Sequence, residues 1–168
     1  AVAKDPMDLR QADRLVIPGV GDFANCMDRL ERQGFRDEVL AFAKTERPVL
    51  GICVGMQMLF DTSAENGPVP GLGLVAGTVE RIPEAGLDGA RVKYPNTGWS
   101  SIMPPEGRNW DGSVLDGLSA GDAMYFMHGY VPSPSDLADQ LATFSFHGRR
   151  LTAAVRRDNL TGVQFHPE

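Results

Sequence analysis

One stretch of the sequence, PVLGICVGMQMLF at positions 48–60, restricts the possible folds more than any other. The run VLGI is too short for a helix and apolar throughout, as expected of a parallel strand covered on both faces. A cysteine then stands between Gly51 and Gly55, where a helix-like pattern begins. A strand that feeds a helix through a tight turn lifts one side chain above the sheet, and small flanking residues give it room. Cys53 is expected to be that side chain.

The surrounding sequence fits a sheet with crossover helices. In RLVIPGVGDF, residues 15–17 read as a buried strand ending in a Gly-rich loop. Phe23, Cys26, Met27 and Leu30 follow at helical spacing, with Asp22 as N-cap and Gly34 as the stop. Phe35, Val39, Phe42 and Ala43 repeat that spacing up to Pro48. The order strand, helix, strand, helix predicts an α/β sheet. After Phe60 the chain becomes Gly/Pro-punctuated and mostly β: LVAGTVERI, RVKYPNTGWSSI and AMYFMHGYV each read as a strand. ATFSFHGRRLTAAVRRDNLTGVQFH reads as three strands joined at His147-Gly148 and Asp158-Asn159. No internal repeat or linker interrupts the 168 residues, which predicts a single domain.

Charge and cysteine usage narrow the function. A net charge of -6 with acids and bases interspersed argues against nucleic acid or an anionic membrane as partner. No apolar run approaches the roughly 20 residues that span a bilayer, and AVAKDPMDLRQ has no signal-peptide pattern, so a cytoplasmic protein is expected. Two cysteines cannot make a disulfide framework, and no Cys/His spacing suits zinc, so no metal is expected.

A buried cysteine is often only a small hydrophobe. The G-x-C-x-G frame favours a nucleophile instead, because the turn exposes the sulfur and sets it at a helix N-terminus, where a thiolate is stabilised. Cys26, on an apolar helix face, reads as core. A thiol nucleophile needs an oriented base. His147 sits at a hairpin tip, and His128 either lines a pocket or packs. His166 stands two residues before Glu168 in QFHPE, and alternate strand residues share a face, so imidazole and carboxylate lie side by side. Taken alone, H-x-E also describes an ordinary surface pair. Oxyanion donors are expected from the backbone of Val54 and from the PGVG turn, at Gly19 and Val20, although PGVG also suits an ordinary strand-to-helix turn.

Together, LVIPGVGDFANCM, GICVGMQMLF, GLGL, YFMHGYV and GVQFHPE resemble the class I, triad-type glutamine amidotransferases, most nearly the glutaminase subunits of imidazole glycerol phosphate synthase. The resemblance covers most of the chain. It implies a flavodoxin-like three-layer α/β sandwich with a mostly parallel central sheet and a β-rich region in the second half. It also implies that a strand and helix precede Ala1 and that closing elements follow Glu168. In activity, it implies hydrolysis of glutamine to glutamate and ammonia by Cys53, His166 and Glu168, without metal or organic cofactor. Gln57 and Glu65 match positions that hold substrate, and His128, Gly129 and Tyr130 match a segment lining the same pocket. The implied partner is a (β/α)8-barrel cyclase subunit, forming a heterodimer that receives the ammonia and switches the glutaminase on.

Two departures stand where glutaminase and synthase communicate. The family usually carries P-H-x-G-W-N, and this chain has Pro95, Asn96, Thr97, Gly98, Trp99 and Ser100; the usual H-S-Y is His128, Gly129, Tyr130. Three alternatives therefore stand beside the first expectation: a glutaminase serving another acceptor, such as a nucleotide-sugar amidotransferase; a cysteine hydrolase of γ-glutamyl or peptide bonds; and a catalytically silent interaction domain.

Overall fold

A computed structural model describes residues 1–167 of the chain. Strand β1, Leu15–Gly19, and strand β2, Val49–Cys53, run parallel, with Leu15 beside Val49 and Gly19 beside Cys53. Helices α1, Phe23–Arg32, and α2, Phe35–Ala43, connect them. The apolar spacing decides which faces they bury: Phe23 and Met27 of α1, and Val39, Phe42 and Ala43 of α2, join Ile17 and Val49 in one core. Asp22 caps α1, its carboxylate accepting from Asn25 N at 2.9 Å, a contribution of about 1 kcal/mol. Asn159 fixes the approach to β2, its amide Nδ2 donating to the carbonyls of Thr45 at 2.7 Å and Arg47 at 2.8 Å.

Beyond Cys53 the expected helix is a single turn, α3, Val54–Gln57. Met56, Leu59 and Phe60 have helix-like spacing, yet Phe60 already opens strand β3, Phe60–Ser63. With β4, Val69–Pro70, β5, Val75–Arg81, and β8, Tyr130–Pro134, it forms a four-stranded sheet in the order β4-β3-β5-β8. Burial of Phe60, Val75 and Val79 in the first core offsets the helical turns that α3 forgoes.

The larger sheet adds β6, Asn96–Met103, β7, Ala123–His128, β9, Gln140–Phe146, β10, Arg149–Arg157, and β11, Leu160–Val163, in the order β1-β2-β11-β10-β9-β6-β7. The expected mostly parallel sheet is realised only in β1, β2 and β11; the other neighbours pair antiparallel. Short reversals at His147-Gly148, with φ of 47° and 83°, and at Asp158, with φ of 51°, impose the antiparallel pairing of β9 with β10 and of β10 with β11, since parallel neighbours need long crossovers. Similarly, the helical layer lies on the Ile17 and Val49 face. On the opposite face Val16, Leu50 and Thr161 stand in one register row that no α-helix covers among the described residues.

AMYFMHGYV is two strands rather than one. β7 pairs with β6 in the large sheet, β8 pairs with β5 in the small one, and only Gly129 separates them. A Cβ at Gly129 would come within 2.3 Å of the Tyr94 hydroxyl, so the missing side chain leaves room for that ring. No helix among the described residues is long and apolar enough to cross a membrane.

Candidate active site

Cys53 ends β2 with φ of 53° and ψ of -114°, a conformation that a side-chain-bearing residue adopts only under constraint from its surroundings. The constraint is backbone contact. A Cβ on Gly55 would lie 1.8 Å from the Ile17 carbonyl oxygen, one on Gly51 2.6 Å from the Gly55 oxygen, and one on Gly19 2.3 Å from the Gly55 nitrogen. These glycines let α3 press directly onto β1 and β2, which bends the chain sharply at Cys53; the thiol is buried rather than exposed as expected, joining the core of Ile17 and Val49 while also lining a cleft. With α3 only one turn long, the helix-terminus stabilisation expected of the thiolate is limited to the free amides of that turn.

Cys53 opens into a cleft with a cavity volume of about 90 Å³, lined also by Gly19, Val20, Val54, Gln57, Glu65, His128, Gly129, Tyr130 and His166. Sequence-predicted residues from β1, β2, α3, β7, β8 and the segments after β3 and β11 thus converge on one place; Glu168 lies outside the described residues.

The three histidines separate by environment. His147 is exposed at its hairpin tip. His128 is buried and engaged at both ring nitrogens: Nδ1 donates to the Tyr130 carbonyl at 2.7 Å, and Nε2 accepts from Asn96 Nδ2 at 3.1 Å. Burial lowers its pKa to about 4, opposed by the Tyr130 hydrogen bond and assisted by repulsion from His166. It is therefore neutral at physiological pH, with its lone pair occupied by Asn96. His166 remains as the candidate base. Its backbone N–H donates to the Tyr125 carbonyl at 2.9 Å, which anchors it beside β7.

Glu65 has a task beyond the cleft, because its Oε2 accepts from the first amide of α1, Phe23 N, at 2.8 Å. The carboxylate thus satisfies a helix-end donor while facing the site. Cys26 is half-buried, with Sγ 3.7 Å from the Val20 carbonyl, and burial together with Asp22 and Glu65 raises its thiol pKa. No group of three or more His, Cys, Asp or Glu side chains is placed to hold a metal among the described residues.

Gln164 was not among the residues singled out in the sequence. It is fully buried between β11 and His166, and its Nε2 lies 3.6 Å from Cys53 Sγ. Gln57 Nε2 donates both to Gln164 Oε1 at 3.0 Å and to the Tyr130 carbonyl at 3.1 Å. The available signal was an amide among apolar residues in a run that reads as a strand, where by itself it suggests an exposed alternate position; β11 in fact ends one residue earlier, at Val163.

Comparison with known proteins points one way. The family described as "Glutamine amidotransferase class-I" matches residues 3–168. The chain is 38% identical to imidazole glycerol phosphate synthase subunit HisH 1 of Legionella pneumophila (strain Lens), over 97% of this chain and 77% of that one. It is 42% identical to subunit HisH of Aromatoleum aromaticum, over 100% of this chain and 77% of that one. Imidazole glycerol phosphate synthase hisHF, chloroplastic, of Arabidopsis thaliana is 40% identical over 97% of this chain, which corresponds to 26% of that longer protein. Among solved structures, one described as a glutamine amidotransferase superposes with a TM-score of 0.70 over 98% of this chain and 76% of that one, at 19% identity, a likeness of fold.

Proposed function

This chain belongs to the class-I glutamine amidotransferases, and from that premise we propose that it is the glutaminase subunit of an imidazole glycerol phosphate synthase, acting in histidine biosynthesis. The observation that carries the proposal is the convergence of Cys53, at the end of a strained turn, with His166 in one narrow cleft. The names of the HisH relatives support the choice of synthase.

Those positions support the following chemistry. His166 takes the Cys53 thiol proton, and the sulfur attacks the side-chain carboxamide carbon of glutamine. The carbonyl oxygen becomes an oxyanion, for which the N–H of Val54 and one from the Gly19-Val20 turn are the donors. Collapse of that intermediate breaks the C–N bond as His166 returns the proton to the departing nitrogen, releasing ammonia and leaving a thioester on Cys53. Water, deprotonated by His166, cleaves the thioester to glutamate and restores the thiol. Glu168 holds the imidazole in the useful tautomer. Gln57, Glu65 and the 128–130 segment hold the glutamine, and no metal or organic cofactor takes part.

Ammonia is largely ammonium at neutral pH, so it must pass to its acceptor under cover. The receiving partner is a (β/α)8-barrel cyclase subunit, a reading supported by the Arabidopsis relative, in which the matching region is part of a longer synthase chain. The outer face of the β6-β7 pair is the proposed contact: Trp99 and Met127 are exposed there, and Trp99 meets Tyr125 edge-on at 5.7 Å. Aromatic and Met side chains are the kind that anchor interfaces.

Ammonia release from glutamine, measured with the cyclase subunit present, tests the proposal. Wild type should turn over and Cys53→Ala should fall to the uncatalysed background. Equal rates in the two proteins would remove Cys53 as nucleophile. A second reading, supply of ammonia to another acceptor, is favoured by Asn96 and Gly129 standing where the family carries His and Ser; capture of a different synthase with this chain would support it.

A further inference from the structure

The orientation of every amide around Cys53 can be deduced from one atom that can only accept. The Tyr130 carbonyl oxygen receives Gln57 Nε2 at 3.1 Å and His128 Nδ1 at 2.7 Å, so both nitrogens carry hydrogen. Because the Gln57 amide nitrogen is fixed in this way, the atom of Gln164 that meets it at 3.0 Å must be the oxygen. The other end of the Gln164 amide, its NH2, is then forced to face Cys53 Sγ at 3.6 Å. All three side chains, Gln57, His128 and Gln164, are buried, so water does not compete for these groups.

We propose that Gln164 is a positioning residue for the glutaminase reaction: its side-chain N–H donates to Cys53 Sγ, holding the sulfur at the cleft and favouring the thiolate over the thiol. The inference rests on the reading of Cys53 as nucleophile. A donor to an anion is stronger than one to a neutral group, so the bond tightens as the proton leaves. It adds a fixed positive dipole end at the sulfur to the few free amides of the one-turn α3. The register places it there, since Val163 pairs with Ile52 and the next residue of that chain therefore stands beside Cys53. Gln57 acts one step further out, keeping the Gln164 amide from turning its oxygen toward the sulfur, where it would oppose ionisation.

The titratable groups lining the same cleft are His166, Glu65, His128 and Tyr130, and Glu168 follows two residues after His166. Their effect on the sulfur is common to wild type and variants. A difference between those proteins therefore reports the amide.

The experiment is the pH dependence of iodoacetamide alkylation in the full chain, followed by the mass of the Cys53 peptide so that Cys26 is counted separately. Gln164→Met preserves shape and removes the donor. Its alkylation midpoint should rise by about one pH unit, making reaction at neutral pH about tenfold slower. Gln57→Met, which leaves Gln164 in place but frees its orientation, should shift the midpoint the same way by less, roughly threefold in rate. Circular dichroism identifies folded variants. A folded Gln164→Met with the wild-type midpoint overturns the proposal. If that variant does not fold, an unchanged midpoint in Gln57→Met overturns it instead. Alkylation needs neither glutamine nor partner, so a wild type that releases no ammonia would refute the glutaminase reading while leaving the midpoint shift as a separate result.

Discussion

Replacing Gly55 with Ala tests whether close backbone packing sets the bend at Cys53. The new Cβ would stand 1.8 Å from the Ile17 carbonyl oxygen, about 1.2 Å short of the 3.0 Å below which Cβ contacts essentially do not occur. The obstacle is backbone inside the parallel sheet, held by pairing of Ile17 with Gly51, so α3 must move rather than β1. Overpacking of this kind costs about 3 kcal/mol at the upper end of the usual range, and a shift of about 1 Å at a reacting atom costs on the order of 10²-fold in rate. Gly129→Ala is the control. Its Cβ meets the Tyr94 hydroxyl at 2.3 Å, also well inside the 3.0 Å limit, but Tyr94 is 42% exposed and its ring can swing away. That variant should lose less than about 1 kcal/mol. Urea unfolding gives the stabilities and ammonia release with the cyclase subunit gives the rate. If Gly55→Ala unfolds at the wild-type midpoint and retains full turnover, the bend does not depend on this contact.

Other consequences follow from individual side chains. His128 has its folded pKa lowered from 6.5 to about 4, so between those values the unfolded chain binds a proton that the folded chain refuses. Stability should accordingly fall as pH drops from 6.5 toward 4 and then level off, a loss of up to about 3 kcal/mol that chemical denaturation at stepped pH would show shrinking in His128→Asn. Glu65→Ala removes the acceptor of Phe23 N; we expect a loss of about 1 kcal/mol and faster hydrogen exchange at that amide, and unchanged exchange would contradict the contact. Gly129→Ser should be better tolerated in a Tyr94→Ala background than alone, because a side chain at 129 competes with that ring for space; equal stability changes in a double-mutant cycle would exclude such competition.

The elements legible in the sequence were those whose determinants are local. Asp22 before Phe23, Gly34 after the apolar stripe, and the positive-φ turns at His147 and Asp158 each specify their own neighbourhood, and the helices and hairpins formed there. Gly51, Cys53 and Gly55 marked the bend for a related reason, although the glycines serve the contact of α3 with β1 and β2 rather than space around the sulfur alone. What could not be read depends on partners far along the chain. Phe60 fits a helix stripe and a strand equally well, and pairing with Val75 decides between them. The break at Gly129 is invisible because both halves of AMYFMHGYV have strand-like composition and only β5 and β6 reveal that they serve different sheets. Gln164 looks like an outward-facing polar residue until Gln57, 107 positions earlier, is placed against it.

The single-residue joint at Gly129 carries a mechanical consequence. No slack loop separates the last paired residue of one sheet, His128, from the first of the other, Tyr130, and both reach the wall where substrate is expected to sit. A tilt of one sheet relative to the other is therefore concentrated at Gly129, whose neighbours line the opening beside the sulfur. A protein leaning on the outer side of β7 would thereby hold a lever on the reaction without touching any reacting atom.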